Sequence, residues 1–379
     1  MTTSAKKTSG KSVSKARSLV SRVSNRGWMY VGIGLFAVVG SVLLMSSHAA
    51  TPTVSYEVEA GTRSANASLV ADSTASGTSA VKFSATAQTL YGWQLTAANT
   101  GLAAYGLNCA SIPVYTGNSK PAAGTTISQK RFTGPLDLSA GNITIDKSCI
   151  QPTSVGQGLP TITTTDYNNC TNNGCAVTTG LVTISNSEID GSLLSAYDSA
   201  FTTAFIGIAT LRNNYIHDMG SGIGLMNTGK QISVVVEGNY VTRLRAYGDG
   251  GTTGNHSDGF TIRDFDASQN PARTVVVQNN RFDCNSGNDT GAFFIQTYAG
   301  NINNVTASGN LLEGGGYTMG LNQDFGNTYS NVKATNNRFA PTGYGAAYVQ
   351  GGTGWSVWTD NYRNDPTKID NKGAVVPQP

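Results

Sequence analysis

Val234-Val-Val-Glu-Gly-Asn-Tyr-Val241 and Val275-Val-Val-Gln-Asn-Asn-Arg-Phe282 are one phrase written twice: an alternating apolar strand, a small polar corner, then another apolar residue. Six more copies bring the total to eight: Ile143-Thr-Ile-Asp-Lys-Ser-Cys-Ile150, Val182-Thr-Ile-Ser-Asn-Ser-Glu-Ile189, Ala209-Thr-Leu-Arg-Asn-Asn-Tyr-Ile216, Val305-Thr-Ala-Ser-Gly-Asn-Leu-Leu312, Val332-Lys-Ala-Thr-Asn-Asn-Arg-Phe339 and a degraded Trp355-Ser-Val-Trp-Thr-Asp-Asn-Tyr362. The corner residues Ser148, Ser187, Asn214, Asn239, Asn280, Asn310, Asn337 and Asn361 are 39, 27, 25, 41, 30, 27 and 24 residues apart. Three strands of about five residues with their turns need roughly two dozen residues, so each short interval holds one coil of a solenoid. Asparagine at a corner tolerates left-handed backbone, and its amide can bond backbone groups or the next asparagine of a stack. The expected fold is all-β, a right-handed parallel β-helix forming a single-stranded solenoid. An antiparallel sandwich also has many short strands but would not repeat one corner at coil length. Ile150, Ile189, Ile216, Val241, Phe282, Leu312 and Phe339, each two residues past a corner, should form one interior stack.

A second ladder follows the corners from the third copy onward: Gly222-Ile-Gly-Leu-Met226, Gly259-Phe-Thr-Ile-Arg263, Ala292-Phe-Phe-Ile-Gln296, Thr318-Met-Gly-Leu-Asn322 and Ala346-Ala-Tyr-Val-Gln350. Side chains alternate between the faces of a strand. Ile223, Phe260, Phe293, Met319 and Ala347 therefore point inward with Leu225, Ile262, Ile295, Leu321 and Val349. The outer face carries Arg263, Phe294, Gln296, Asn322, Tyr348 and Gln350, a flat strip of amides, a guanidinium and two rings. Such a strip is either a solvated sheet face or a groove for a sugar chain, and in the second case Phe294, Gln296, Asn322, Tyr348 and Gln350 are the expected substrate-binding residues.

Only 12% of residues are charged, about half the usual share, and 45 are glycine. Residues 1–27 hold seven basic residues and no acid, leaving 18 basic against 22 acidic in the remainder, so nucleic-acid binding has no basic patch to rest on. Behind that stretch Trp28 to Met45 is uncharged and mostly apolar, followed by small residues near Ala49 and Ala50. This is the order of a secretory signal, and it is also about long enough to anchor the chain in a membrane. Either outcome keeps the basic side in the cytoplasm and exports the rest, to the cell surface or beyond. The expected organisation is a basic segment 1–27, a signal h-region or transmembrane anchor 28–50, a β-rich segment or solenoid cap 51–104, the parallel β-helix 105–365 and a tail 366–379, acting as a monomer. Export permits disulfides, and Cys170 with Cys175, enclosing a four-residue loop, is the preferred pair. Cys109 with Cys149 is the second choice, leaving Cys284 as a buried thiol. Beyond Cys170 and Cys175, no second cysteine or histidine pair stands at metal-ligand spacing.

Tyr56-Glu-Val-Glu-Ala-Gly61 and Ala75-Ser-Gly-Thr-Ser-Ala-Val-Lys-Phe83 resemble the opening of sugar-binding β-sandwich modules, in which the paired glutamates, here Glu57 and Glu59, help hold a structural calcium. Fewer than 60 residues separate Phe83 from Ile143, too few to finish a sandwich of about 100 residues, so a remnant serving as cap is the expectation. From Asn99 onward the chain resembles secreted bacterial β-helix proteins of the pectin-lyase-like type, through Asn99-Thr-Gly-Leu102, Pro121-Ala-Ala-Gly-Thr-Thr126, Asn142-Ile-Thr-Ile-Asp-Lys-Ser148, Ile184-Ser-Asn-Ser-Glu-Ile-Asp-Gly191, Asn214-Tyr-Ile-His-Asp218 and His256-Ser-Asp-Gly259. That superfamily includes lyases, hydrolases, adhesins and proteins without known activity.

The 41-residue interval contains the glycine-rich loop 243–258, which ends at the strand carrying Arg263. Long excursions from a regular solenoid mark binding faces or tolerated insertions. His256, Asp258, Asp264 and Asp266 flank that strand, and Asp324 stands two coils later. Polysaccharide lyases need a base for the proton beside a uronate carboxylate and a positive group to neutralise that carboxylate. The resemblance implies Arg263 or His256 as the base, Asp258 and Asp264 as calcium ligands, and Asp324 as a further carboxylate. The chain lacks a pectate-lyase signature and the Asn-Thr-Asp, Asp-Asp and Gly-His-Gly set of polygalacturonases. Two functions remain in view: a surface protein that binds extracellular polysaccharide without catalysis, and a polysaccharide lyase or glycoside hydrolase. His217, at a corner with Asp218, is expected to be structural.

Overall fold

The computed structural model describes residues 67–71, 74, 79–83, 90–156, 158–165, 180–226, 232–263 and 265–379. The chain divides into two units, Met1–Ala87 and Gln88–Pro379. In the first, Ala67–Ala71 and Ser79–Phe83 form an antiparallel hairpin. The basic stretch, the apolar run, Glu57, Glu59, Asp264 and the pair Cys170 and Cys175 lie outside the described residues. Among the described residues no helix is long and apolar enough to cross a membrane.

In the second unit the described strands make sheets of ten, nine and eight members, and each strand bonds to the one three further along the chain, except that the last two strands of the ten-stranded sheet are consecutive. Every pairing in these sheets is parallel except the last of the ten-stranded one. This periodicity of three matches the coil inferred from the corner spacing and is consistent with a parallel β-helix. Ile150, Ile189, Ile216, Val241, Phe282, Leu312 and Phe339 pair in sequence down the ten-stranded sheet, and all are buried. The inward residues of the second ladder pair likewise in the eight-stranded sheet, from Ile223 through Phe260, Phe293 and Met319 to Ala347.

The corner divides its two tasks between neighbouring residues. Left-handed backbone belongs to the residue before each corner: Lys147, Asn186, Asn213, Gly238, Asn279, Gly309, Asn336 and Asp360. The corner side chain itself is buried and stacks. Asn214 Nδ2 donates to Asn239 Oδ1 at 2.9 Å, Asn239 to Asn280 at 2.9 Å, Asn280 to Asn310 at 3.0 Å, Asn310 to Asn337 at 3.0 Å and Asn337 to Asn361 at 3.1 Å. Each accepting oxygen also takes the backbone N–H of the preceding corner, and each Nδ2 also donates to a backbone carbonyl, such as Asn280 to Val236 O. Serine continues the ladder where it begins, with Ser148 N donating to Ser187 Oγ and Ser187 N to Asn214 Oδ1.

Residues 91–109 lie outside the coils and run along this corner. Trp93 stacks on the Arg338 guanidinium at 4.2 Å, Gly92 N donates to Gly309 O, Arg281 Nη1 donates to Leu95 O, Gly101 N donates to Asn213 O, and Tyr105 Oη donates to Asn186 Oδ1. A disulfide between Cys109 and Cys149 fixes the end of this strap to the coil of Ser148. That is the second-choice pairing, brought together because the strap passes Cys149. Cys284 is a buried free thiol, as expected. At the other end Lys372–Val375 pairs antiparallel with Tyr362–Asn364, while Trp358 Nε1 donates to Val376 O and Gln378 Nε2 to Trp355 O.

Asn280→Ala removes two donated and two accepted bonds and strands buried backbone groups, so it should lower unfolding free energy by about 3–5 kcal/mol in urea titrations. A Cβ on Gly92 would stand 2.0 Å from Asn280 O. Gly92→Ala should therefore detach the strap locally, seen as faster amide exchange at Leu95 and Gly101 with the ladder amides still protected.

Candidate functional site on the eight-stranded sheet

The outer face of the eight-stranded sheet gathers most of the residues expected to bind or act. Thr261, Phe294, Gly320 and Tyr348 are successive register partners, as are Gln296, Asn322 and Gln350. All these side chains except that of Gln350, which is exposed, are buried or half-buried. Glycine at position 320 is a steric requirement: a Cβ there would lie 2.4 Å from Tyr348 Cε1 and 2.9 Å from Phe294 Cδ2. The two rings therefore lean over that backbone, with centroids 6.3 Å apart. Tyr317, opening the Tyr317–Asn322 strand, extends the platform, 4.8 Å from Tyr348 and 5.7 Å from the exposed Tyr344.

A second ring group stands beyond the opposite strand ends. Tyr298 meets Phe325 edge-on at 4.6 Å, and the Arg263 guanidinium stacks over Tyr298 at 4.4 Å. Phe325 is 70% exposed. Between the groups, Gln296 Nε2 donates to Asp324 Oδ2 at 2.7 Å, and Asp324 N donates to Thr297 Oγ1 at 2.8 Å. Sequence reading missed Tyr298, Tyr317, Tyr344 and Phe325. Their only signal was aromatic residues immediately flanking repeat strands.

Asp258 stands just after an irregularity in its strand. Its strand Ser257–Ile262 slips register between Ser257 and Asp258, where Ser257 pairs with Asp289 but Asp258 with Gly291. The carboxyl oxygen Oδ1 is shielded from solvent and accepts no hydrogen bond. Burial pushes the Asp258 carboxyl up to about 6 against the opposing charge of Arg263. Burial likewise pushes the Tyr348 hydroxyl up to about 12, with Asp324, Asp258 and Tyr317 adding to the effect. Asp258, Arg263, Asp324 and Tyr348 thus share one electrostatic environment. The amide oxygen of Asn322 is also buried without a partner.

His256 is placed differently. It is exposed and lines a shallow groove between the helix Ala196–Phe201 and the loop, beside Thr203, Ser221 and Asn255. The loop is fastened both to itself and to its surroundings: Asn255 Oδ1 accepts from Tyr247 N, Asn288 Nδ2 donates to Gly248 O, and Tyr247 packs edge-on against Tyr197 at 5.1 Å. Among the described residues the groups spaced to hold a metal are Cys109 with Glu188 and Asp190, and Asp190 with His217 and Asp218; Asp258 is in neither.

His217 sits in a closed polar network on the ten-stranded sheet. Burial disfavours its charged form, but hydrogen bonds to Asp218 and Glu188 and the charge of Asp190 outweigh burial and raise its pKa. Asp218, also paired with Arg243 and Arg245, is held well below the usual carboxylate range despite burial. Asp190 is occupied by Gln151 Nε2 and Ser192 N. With its members bonded to one another, the network fits the structural role expected of His217.

A scan against protein-family models, a search of curated proteins and a search of solved structures each find no match.

The Asp258 carboxyl titrates higher in the folded chain than in the unfolded one, so its contribution to stability is present below about pH 4 and lost as pH rises through about 6. Asp258→Asn should therefore match wild type near pH 4 and exceed it by roughly 2 kcal/mol above pH 7. Paired denaturation curves at the two pH values check this; equal stability at high pH would show a carboxylate at no disadvantage.

Proposed function

We propose that the protein is an exported, right-handed parallel β-helix of the pectin-lyase-like type that binds extracellular or cell-surface polysaccharide along the outer face of its eight-stranded sheet. The observation that carries this reading is the pair of ring groups, Phe294, Tyr317, Tyr344 and Tyr348 on one side and Tyr298 with Phe325 on the other, flanking a row of polar side chains on flat sheet. Ring faces offer apolar surface to sugar C–H groups, while Arg263, Gln296, Asn322, Asp324 and Gln350 offer donors and acceptors. Right-handedness is supported by the strong bias of parallel crossovers toward that hand. Export is supported by the seven basic residues preceding the apolar run Trp28 to Met45, the segment that would also supply any membrane anchor.

One observation favours a second reading, a glycoside hydrolase or polysaccharide lyase: Asp258 holds a proton near pH 6 beside Arg263, Asp324 and Tyr348. A carboxyl tuned in this way can act as a general acid. Incubation with polysaccharides, followed by reducing-end assay and ultraviolet detection of unsaturated product, separates catalysis from binding.

Removing one stacking or hydrogen-bonding contact should weaken glycan binding by about 1 kcal/mol or more. Tyr348→Ala and Arg263→Ala should each do so with the fold intact. Lys333→Ala, on the neighbouring nine-stranded sheet, should not. Affinity electrophoresis in polysaccharide gels reads the difference, and unchanged retention of both strip variants would place the glycan elsewhere.

A further inference from the structure

Phe325 is held in a backbone conformation that its side chain disfavours. Its φ is 55°, in the left-handed region that a bulky residue rarely enters. The surrounding turn imposes it: Thr297 N donates to Asn322 O, Asp324 N to Thr297 Oγ1 at 2.8 Å, Asn327 N to Asp324 O at 3.1 Å, and Asn327 Nδ2 to Thr297 O at 3.0 Å. Backbone strain maintained in this way concentrates at active sites and ligand clamps. The strained residue carries an accessible ring, met edge-on by Tyr298.

Phe325 lies three residues past the end of the Tyr317–Asn322 strand. Beyond the other end of that strand stands Tyr344, 85% exposed and 5.7 Å from Tyr317. Between the two ends lies Gly320, crossed by the half-buried rings of Phe294 and Tyr348. Rings therefore succeed one another along the direction of one strand. Along the solenoid axis they do not: toward the N-terminal coils the row of Tyr348, Gly320 and Phe294 continues as Thr261, Gly224 and Ile206.

Resting on the polysaccharide reading above, we infer that the glycan crosses the sheet parallel to the Tyr317–Asn322 strand, from the Tyr344 ring to the Phe325 ring, as several consecutive sugars of one extended chain. The strand alone measures about 16 Å, and both end rings stand outside it. A single terminal sugar cannot touch both, so the ligand class is a linear polymer bound along its length. Each ring offers an apolar face to a different sugar of that chain. Phe325 is then a binding residue, and the strain in its backbone is a cost of presenting its ring at the far end of the path.

The full-length protein is passed over immobilised glucan, mannan, xylan, polygalacturonate and chitosan, and oligosaccharides of a retained polymer, from disaccharide to octasaccharide, are then titrated calorimetrically. The expected result is affinity that climbs with chain length until the ligand spans both end rings, and about tenfold weaker binding of the longest oligosaccharides by Phe325→Gly and by Tyr344→Ala. Glycine and asparagine both tolerate left-handed backbone, so Phe325→Asn should show the same loss, and thermal melting verifies that each variant is folded. Met226 follows Leu225, the register partner of Ile262, and is displaced along the axis from this path; Met226→Ala should bind as wild type. Affinity that stops rising at the disaccharide, or long chains bound at full strength by the Phe325 variants, overturns the inference while leaving the polysaccharide reading standing. Weaker binding by Met226→Ala overturns it as well, because the chain would then follow the axis. No retention on any polymer removes the polysaccharide reading itself, and this inference with it.

Discussion

The rest of the molecule depends on one hydrogen-bonded column, the corner amides from Asn214 to Asn361. From Asn239 onward each side-chain oxygen takes two donors from the coil before it, and up to Asn337 each side-chain nitrogen serves a neighbouring amide and a backbone carbonyl. The column ties consecutive coils at one point of their circumference. A strand displaced by a single residue would invert its inward and outward faces, so a buried column that tolerates no displacement sets register for all three sheets. Insertions are absorbed elsewhere. The 41-residue interval between Asn239 and Asn280 keeps the same 2.9 Å amide contact as the 25-residue one before it.

The outer face of the eight-stranded sheet shows the opposite priorities. Gly320 contributes no side chain so that two rings can lie across it, and beside a register slip stands an aspartate that has no bonding partner for Oδ1. Neither feature helps the fold, and an unpartnered buried acceptor works against it. Departures from local consistency of this kind concentrate where a protein meets its ligand.

These contrasts explain what could be read from the chain before its structure. The interior stacks and the positions of strip residues such as Gln296, Asn322 and Tyr348 follow from a repeat in register, where alternation decides which way a side chain points. The corner amides were legible too, although the left-handed turn proved to belong to the residue before each of them, because a side chain engaged in the column needs an ordinary backbone. Tyr298, Tyr317, Tyr344 and Phe325 escaped notice because three of them lie in connections and the fourth at a strand start, where no period applies. His256 shared a short motif with Asp258 but faces a different groove, since the intervening register slip separates them. The Cys109–Cys149 pairing could not outrank a nearby pair by spacing alone; it depends on the path of residues 91–109, which carry no repeat at all.

That path changes the mechanics of the molecule. A solenoid whose coils touch only their neighbours behaves as a row of weakly coupled links, free to fray from either end. Here the strap bonds beside the corners from Asn337 back to Ser187, about 24 Å of axial rise, before its covalent attachment at Cys149. A coil in the middle cannot separate from the next without also lengthening a tether already fastened at both ends. The strap thus acts as a backstay along the column, making stretching of the stack and the loss of any single coil shared events rather than local ones.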